Sequence, residues 1–375
     1  MSICKNVFRL NDVYDLVNAG SWPVYNTSCD PGELWSWGCG GYGPLGTGNT
    51  TYRSSPVQVP GTSWNDIDGG YCHSLARKSD GTLWAWGGNG QGQLGNNSIF
   101  YVNSPIQIPG TSWNDLSVGF RHNLARKSDG TLWAWGSNSR GQLADNSVYS
   151  KSSPIQIPGT SWNDVSAGGV RFSLARKTDG TLWSWGDNNY GQLGINTTTE
   201  RSSPVQIPGT SWNDVVAGGG HSLARKTDGT LWAWGRNSSG VLGDNTTANK
   251  SSPIQIPGTS WNDIAAKSLT HSLARKTDGT LWSWGENSRG QLGDNTKTYS
   301  SSPIQIPGTS WNDIAASGRQ SFARKTDGTL WSWGYNPFGQ LGDNTRIAKS
   351  SPVQIPGTSW NDVAAGLYHT LARKA

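Results

Sequence analysis

The sequence predicts an all-β protein, a seven-bladed β-propeller with four-stranded antiparallel blades. Two phrases recur in step along the chain, at a spacing of 49 or 50 residues. W-x-W-G begins at Trp35, Trp84, Trp133, Trp183, Trp232, Trp282 and Trp331. S-P-[VI]-Q-[VI]-P-G-T-S-W-N-D begins at Ser55, Ser104, Ser153, Ser203, Ser252, Ser302 and Ser351. A fixed period of this length indicates an array of one supersecondary unit. Four predicted strands in each unit are typical of a propeller blade.

The unit at residues 64–109 shows how the four strands are predicted. They are Asp66–Gly69, His73–Lys78, Thr82–Trp86 and Pro105–Pro109. Asp80-Gly81 is a strong hairpin signal between the second and third strands, because both central residues of a two-residue turn need positive φ. Proline in the fourth strand indicates an outer edge, where a missing backbone donor is tolerated.

A two-residue turn at this point predicts a blade with two unlike faces. It would pair Arg77 with Trp84 and Ala76 with Ala85, because side chains alternate between faces along a strand. The thick face would then carry Leu75, Arg77, Trp84 and Trp86, and the thin face Ala76 and Ala85. We expect each tryptophan face to pack on the alanine face of a neighbouring blade. Fourteen W-x-W rings would form the core, and Arg77 would lie over Trp84 as a cation–π pair.

The two ends of the repeat region predict a closed ring. After Gly32 the chain supplies only a third and a fourth strand, Glu33–Trp37 and Pro56–Val59. After Trp360 it supplies only a first and a second strand, Asp362–Ala365 and Thr370–Lys374. These halves complete each other, so six whole blades and one spliced blade make seven. Closure removes exposed sheet edges.

Residues 1–31 do not match the repeat and are predicted to form a separate docking segment, beside a propeller at 32–375. Residues 11–20 are expected to form one short helix, with four residues on a common face that we interpret as anchoring residues: Leu10, Val13, Tyr14 and Val17. So short a helix needs a surface to dock on. That surface is either the propeller itself or a larger assembly, and the segment resembles the leaders of phage structural proteins.

Charge and composition exclude several classes of protein. The net charge is +5, but an Arg-Lys pair recurs in every unit and spreads the basic residues evenly. Nucleic-acid binding needs clustered Lys and Arg, so no nucleic-acid partner is expected. No apolar run reaches membrane-spanning length, so no membrane insertion is expected. The first residues lack the apolar region of a signal peptide, which favours synthesis in a cytoplasm and free thiols for the four cysteines.

The repeat is similar to the regulator of chromosome condensation repeat. The similarity rests on W-x-W-G, then G-Q-L-G, S-P and A-G-x-x-H-S-L-A, as in the run from Trp282 to Gly293, and it covers residues 33–374. It implies a seven-bladed propeller used as a binding platform. The eukaryotic founder of that family is a nucleotide exchange factor for a small GTPase and works through a wedge inserted from one blade. A bacterial relative caps β-lactamases with one propeller face. The units of this chain carry no insertion that matches the wedge.

No motif in the sequence predicts catalysis. All five histidines occupy one repeat position, which Phe172 and Gln320 fill in the other two units, so we interpret the histidines as packing or hydrogen-bonding residues and not as metal ligands. No helix follows the run from Gly290 to Gly293, so its glycines indicate a tight turn and not a phosphate cradle. We find no singular catalytic constellation and expect a non-enzyme without metal or cofactor.

The copies differ mainly in two loops, and these are the predicted recognition residues. In the turn between the first and second strands, the candidate partner-binding residues are Tyr71, Phe120, Arg121, Arg171, Leu269, Arg319, Leu367 and Tyr368. A second variable patch precedes each S-S-P and contains Tyr52, Arg53, Phe100, Tyr101, Tyr149, Glu200, Arg201, Lys297, Tyr299, Arg346 and Ile347. Aromatic residues and Arg are enriched in interface hot spots. Drift at loop tips is the alternative explanation.

The sequence therefore predicts a non-enzymatic structural or binding protein that recognises a protein or a host-surface receptor near one mouth of the ring. One hypothesis makes it a phage or virion component with other virion proteins as partners, displayed on the virion surface. The alternative is a soluble regulator or inhibitor that caps a partner such as a small GTPase or an enzyme. An enzyme or a sugar-binding protein is a third hypothesis, based on the exposed aromatic residues alone.

Overall fold

The computed structural model describes residues 32–169, 171–268 and 270–374, which are built from β-strands joined by turns and loops. The strands are β1 (Glu33–Gly38), β2 (Arg53–Gln58), β3 (Trp64–Gly69), β4 (His73–Lys78), β5 (Leu83–Gly87), β6 (Val102–Gln107), β7 (Trp113–Val118), β8 (His122–Lys127), β9 (Leu132–Gly136), β10 (Lys151–Ile157), β11 (Trp162–Ala167), β12 (Phe172–Lys177), β13 (Leu182–Gly186), β14 (Arg201–Gln206), β15 (Trp212–Ala217), β16 (His221–Lys226), β17 (Leu231–Gly235), β18 (Lys250–Ile256), β19 (Trp261–Ala265), β20 (Lys267–Ser268), β21 (His271–Lys276), β22 (Leu281–Gly285), β23 (Ser300–Ile306), β24 (Trp311–Gly318), β25 (Gln320–Lys325), β26 (Leu330–Gly334), β27 (Lys349–Gln354), β28 (Trp360–Ala365) and β29 (His369–Lys374).

These strands form seven antiparallel sheets, which confirms the predicted seven-bladed propeller. Blade 1 combines both chain ends in the order β2-β1-β29-β28; the others are blade 2 (β3–β6), blade 3 (β7–β10), blade 4 (β11–β14), blade 5 (β15–β18), blade 6 (β19 and β21–β23) and blade 7 (β24–β27). β20 adds a short parallel strand to β24. The splice is continuous, since β1 pairs with β29 from Glu33–Lys374 to Gly38–His369. First strands of adjacent blades contact one another around the centre, and fourth strands lie at the outer edge.

The predicted hairpin register is wrong by one residue. In blade 2, Arg77 pairs with Leu83 and Ala76 pairs with Trp84. The loop has three residues, because the Lys78 amide donates to the Thr82 carbonyl at 2.9 Å and the Gly81 amide donates to the Lys78 carbonyl at 3.0 Å. Gly81 has φ +78°. A turn followed by one left-handed glycine absorbs the extra residue and keeps the strands twisted together.

The corrected register changes which residues share a face. Ala76 lies on the tryptophan face beside Trp84, and the opposite face carries leucines as well as Ala85. Adjacent blades do pack the tryptophan face of one on the opposite face of its predecessor. Between blades 2 and 3 this cluster contains Leu75, Leu83, Ala85, Leu94, Ile108, Trp113, Leu116, Val118, Ala125 and Trp135.

The predicted cation–π pair forms with a different cation. Lys78 Nζ lies 4.6 Å from the ring centroid of Trp84 and 4.9 Å from that of Trp64. Arg77 points to the other face and lies with its Nε 3.7 Å from Asp66 Oδ2. The one-residue change of register exchanges these two neighbouring basic residues, because adjacent positions in a strand face opposite sides.

Fourteen tryptophans are buried in the blades, but seven of them are not the predicted ones. The second Trp of each W-x-W is fully buried, as at Trp86, and so is the Trp of each T-S-W-N-D, which is 2 % exposed at Trp64. The first Trp of each W-x-W is only half-buried. Each buried ring removes about 150–250 Å² from water, roughly 4–6 kcal/mol gross at about 25 cal/mol per Å² as an upper bound. The Trp86 Nε1 also donates to the Pro44 carbonyl of blade 1 at 2.8 Å.

The predicted N-terminal helix and its anchoring residues Leu10, Val13, Tyr14 and Val17 lie outside the described residues. Of the four cysteines, Cys39 and Cys72 lie within them, as free thiols. In the part of the chain that is described, no helix is long and apolar enough to cross a membrane.

Candidate functional site: the variable face

Both variable loops lie at the same end of the propeller. In an antiparallel blade, the loop after the first strand and the loop after the third strand emerge on one side. The Gly88 amide after β5 accordingly donates to the Cys72 carbonyl before β4 at 2.7 Å. We call this end the variable face. The opposite end, the constant face, holds the D-G-T hairpins and the P-G-T-S-W connections, joined by bonds such as that from the Ser79 amide to the Ser63 carbonyl at 2.9 Å.

Five aromatic rings form a continuous arc on the variable face. The centroid of Tyr71 lies 4.5 Å from that of Phe120 and 5.8 Å from that of Tyr368. The centroid of Phe338 lies 5.3 Å from that of Tyr368 and 5.8 Å from that of Tyr52. We name these five residues the aromatic arc. It crosses blades 3, 2, 1 and 7, and its members are partly exposed, with Tyr52 at 41 %.

The structure brings four of the predicted binding residues together at the arc. Tyr71, Phe120 and Tyr368 belong to it. The guanidinium carbon of Arg121 lies 5.4 Å from the centroid of Tyr71 and 5.9 Å from that of Phe120, so Arg121 extends one end of the arc with a cation.

The other predicted residues lie elsewhere on the same face. Leu367 is half-buried, and its amide donates to the Gly70 carbonyl of the next blade at 2.9 Å. Arg171 and Arg319 are exposed, and Arg319 is ion-paired with Glu286 at 3.4 Å. Leu269 lies outside the described residues.

A largely buried ion pair crosses the centre of the ring beneath this face. Lys267 Nζ donates to Asp68 Oδ1 at 2.6 Å and thereby joins blade 6 to blade 2. The second carboxylate oxygen accepts from the Val118 amide at 2.7 Å. Burial lowers the pKa of Lys267, and the charge of Asp68 opposes that shift. The cavity that remains, lined by Lys267 and the glycines of several turns, is about 10 Å³, room for about one water molecule.

The repeated histidines join neighbouring blades. His221 Nε2 lies 3.0 Å from Ser272 Oγ of the next blade, and that hydroxyl donates back to the Val241 carbonyl in the loop of blade 5 at 2.9 Å. Desolvation lowers the pKa of His221 to about 3. In blade 7 the position is Gln320, whose Nε2 donates to the Gly366 carbonyl at 2.8 Å. The histidines at this position are hydrogen-bonding residues, one of the two roles expected for them, whereas Phe172 of blade 4 packs in an apolar cluster.

A ring of carboxyl groups lies on the first strands, on the side of the constant face. Each member forms an ion pair with an Arg of its own blade; the members are Asp66, Asp115, Asp164, Asp214, Asp263, Asp313 and Asp362. Desolvation, together with neighbouring carboxylates, raises the pKa of Asp66 to about 7. Within the described ranges, no group of three or more His, Cys, Asp or Glu side chains is placed to hold a metal ion.

Sequence reasoning missed two further variable positions, both in the loop after the third strand. One follows W-x-W-G and holds Cys39, Gly88, Ser137, Asp187, Arg236, Glu286 and Tyr335. The other precedes the glycine of G-Q-L-G and holds Tyr42, Gln91, Arg140, Tyr190, Ser239, Arg289 and Phe338. Comparison of the copies at single positions carries this signal, because the glycine before the first position and the G-x-L run after the second are the same in every copy.

Comparison with known proteins places this propeller in a family. Residues 29–311 match the RCC1-like domain, and residues 327–373 and 311–340 match two descriptions of the regulator of chromosome condensation (RCC1) repeat. The chain belongs to the RCC1-like domain family, since the first match alone spans more than half of it. No curated protein matches the chain.

Solved structures show the same fold. Prp20p of Saccharomyces cerevisiae, whose study concerns binding to Gsp1p and histones, is 22 % identical with a TM-score of 0.83, over 93 % of this chain and 92 % of that one. Human WBSCR16 is 22 % identical with a TM-score of 0.82, over 92 % of this chain and 99 % of that one. Yeast RCC1 (Prp20) in complex with Kap60 is 21 % identical with a TM-score of 0.83, over 100 % of this chain and 94 % of that one.

Proposed function

We propose that this protein is a non-enzymatic binding protein that docks a protein partner on its variable face, with the aromatic arc as the central contact. The observation that carries the proposal is the arc itself: five partly exposed rings from four blades in mutual contact at one end of a ring. Tyr and Arg are the side chains that most often dominate interface energy.

The contrast between the two ends of the propeller supports this assignment. The constant face repeats one hairpin and one connection with little change, whereas the variable positions of two loops converge on the variable face. A scaffold under packing constraint alone would not be expected to confine its differences to one end. Single-stranded nucleic acid also stacks on aromatic rings, but it needs a basic groove. On this face Arg140 and Arg319 are already paired with Glu200 and Glu286.

The comparisons support protein docking as the use of the fold. Prp20p has been studied for its binding to Gsp1p and histones, and yeast RCC1 has been solved bound to Kap60. From these structures we infer for this chain only the class of ligand, which is a protein. Regulation or inhibition of a GTPase or an enzyme fits this proposal. The phage or virion role rests on residues 1–31 and has no support from these comparisons.

A site-specific crosslinking experiment tests the docking face. A photoreactive phenylalanine analogue replaces Tyr52 at the end of the arc or, as the matched control, Thr160 in an exposed connection of the constant face. In extract of the source cells, we expect the Tyr52 probe to crosslink a protein that the Thr160 probe does not. The paired substitutions Tyr71→Ala and Tyr368→Ala should reduce capture of that protein at least tenfold.

Two results would contradict the proposal. One is equal crosslinking of the same proteins from both faces. The other is capture that survives loss of Tyr71 and Tyr368 in a variant whose circular dichroism and thermal unfolding match the parent protein.

A further inference from the structure

A polar pocket between blades 3 and 4 opens on the variable face beside the aromatic arc. Its volume is about 300 Å³, and its lining includes Phe120, Arg121, Ser137, Ser139 and Arg171, with Gln91 and Gln142 at its edges. Both arginines are exposed. Among the described residues that line it there is no carboxylate, and neither arginine forms an ion pair with any described residue.

Blade 6 of the same chain has a corresponding loop in which a carboxylate is present. The loop of blade 6 from Trp284 to Leu292 differs from the loop of blade 3 from Trp135 to Leu143 at a single position, where Glu286 replaces Ser137. In blade 6 the Glu286 carboxylate accepts from Ser288 Oγ at 2.6 Å and lies 3.4 Å from Arg319 of blade 7.

The site between blades 3 and 4 contains the same two types of partner, a hydroxyl and a guanidinium. Ser139 stands where Ser288 does. Arg171 is the last residue of the blade 4 turn, as Arg319 is of the blade 7 turn; the blade 4 turn is one residue longer and Arg171 has φ +57°, but Arg171 lines the same pocket as Ser137 and Ser139. Ser137, which is 8 % exposed, lies where the carboxylate would be. The site between blades 3 and 4 therefore has the hydroxyl and the guanidinium of a carboxylate site without the carboxylate, and Arg121 adds a second guanidinium.

We propose that this pocket receives the carboxylate of an acidic side chain from the protein that docks on the variable face; the proposal rests on the function proposed above. Planar guanidinium groups bind carboxylates through paired hydrogen bonds, which fixes the orientation of the acidic residue. Phe120 belongs to both the pocket and the aromatic arc, so the acidic residue of the partner lies next to an apolar or aromatic one.

The substitution Ser137→Glu provides a test that needs no partner, because it converts the blade 3 loop into the blade 6 loop. We expect the introduced carboxylate to pair with Arg171 as Glu286 pairs with Arg319, measured as a shift of the Arg171 Nε–H signal in NMR that disappears when the carboxylate is protonated at low pH. Ser239→Glu, which places the same charge on the same face in blade 5, is the matched control and should leave the Arg171 signal unchanged. An unchanged Arg171 signal in Ser137→Glu would overturn the proposal.

Peptide titration tests recognition directly. The probe is a capped peptide with two Glu residues next to one Tyr, and its partner peptide has Gln in place of Glu. We expect the Glu peptide to shift the Nε–H signals of Arg121 and Arg171 and to bind at least tenfold more tightly than the Gln peptide. Ser137→Glu and Arg171→Gln should each weaken binding at least tenfold, whereas Ser239→Glu should change it less than twofold.

The remaining outcomes separate the two proposals. Equal binding of both peptides, or binding of a phosphoserine peptide alone, would overturn the carboxylate assignment. If Ser137→Glu leaves partner capture intact while Tyr71→Ala with Tyr368→Ala abolishes it, the pocket assignment fails and the docking proposal stands.

Discussion

Lys267 of blade 6 and Asp68 of blade 2 meet across the axis of the propeller, with Nζ and Oδ1 2.6 Å apart. Their side chains are only 16 % and 18 % exposed. At the position of Asp68, blades 3 and 4 carry Ser117 and Ser166, whose hydroxyls accept from the backbone amide of the next blade. Asp68 makes the same contact and adds the long-range pair, so one residue couples opposite sides of the ring.

Loss of either member of this pair should therefore destabilise the fold. Lys267→Met leaves the carboxylate with its backbone donors but without its counter-charge, whereas Asp68→Ser retains the hydroxyl acceptor that Ser117 provides. Because each single change leaves a largely buried charge unpaired, we expect a cost of about 3 kcal/mol for Lys267→Met. The double variant should recover part of the loss. Urea unfolding of all four proteins measures the coupling, and strictly additive effects would show that the pair does not couple the two blades.

The two tryptophans of one W-x-W should differ in their contribution to stability. Trp86 is fully buried and donates to the preceding blade, whereas Trp84 is half-buried and donates only to Thr82 Oγ1 of its own strand end. We expect Trp86→Phe to cost about 2–4 kcal/mol and Trp84→Phe about 1 kcal/mol, from lost burial and one hydrogen bond. Guanidinium unfolding followed by far-ultraviolet circular dichroism gives both values. Equal costs would contradict the corrected assignment of the core.

Replacement of the Lys that lies between two tryptophan rings should lower the free energy of unfolding. Lys177 Nζ lies 4.8 Å from the centroid of Trp183 and 4.9 Å from that of Trp162. Lys177→Met keeps most of the apolar stem and removes the charge, so the loss of about 1 kcal/mol that we expect isolates the cation–π contribution. Lys297→Met, in a loop without such rings, is the control. A neutral Lys177→Met would show that packing of the stem alone explains the contact.

Acid should destabilise the protein through its buried histidines. Desolvation lowers the pKa of His221 to about 3, and the unfolded value is 6.5. The unfolded state thus binds more protons below pH 6.5, so the contribution of His221 is complete above that pH and falls as pH drops toward 3. Between pH 6.5 and pH 5 the loss is about 2 kcal/mol for one group.

His221→Gln, which places in blade 5 the residue that blade 7 carries as Gln320, should show a shallower loss of stability between pH 6.5 and pH 5 than the parent protein. The pKa of Asp66 in the carboxyl ring is raised to about 7, so protonation of this ring stabilises the folded state as pH falls. That contribution is opposite in sign to the contribution of the histidine and is the same in both proteins. The difference between the two pH profiles therefore isolates the histidine. Denaturant unfolding at pH 8, 6.5 and 5 measures it, and parallel profiles would exclude the predicted linkage.

The number of blades and the splice could be read from the sequence because both depend on spacing. A repeat of 49 or 50 residues and two complementary half-units at residues 33–59 and 362–374 leave one simple way to close the ring. Burial of Trp86 was also predictable, since a large ring in an alternating strand has to face a neighbour. The strand ends were approximate: the first strand begins at Trp64 and not at Asp66, and the fourth begins at Val102 and not at Pro105.

Other features depended on local geometry that the residue types did not decide. Asp80-Gly81 suits a two-residue turn and a three-residue loop equally, so the register of Arg77 and Lys78 was decided by backbone hydrogen bonds in the folded hairpin. The two 50-residue units each have one extra residue between the first and second strands, before Phe172 and His271. The repeat period shows that these insertions exist but not how the chain accommodates them.

By itself, the sequence determined the architecture of this protein, because hydrophobic alternation, turn residues and repeat spacing act over short stretches of chain. The tertiary structure alone decided which variable side chains meet. Phe338 and Tyr368, Lys267 and Asp68, and Arg319 and Glu286 each come from different blades, so their contact depends on how the blades are arranged around the axis. Blade packing determines those distances, and no local pattern in the chain encodes them.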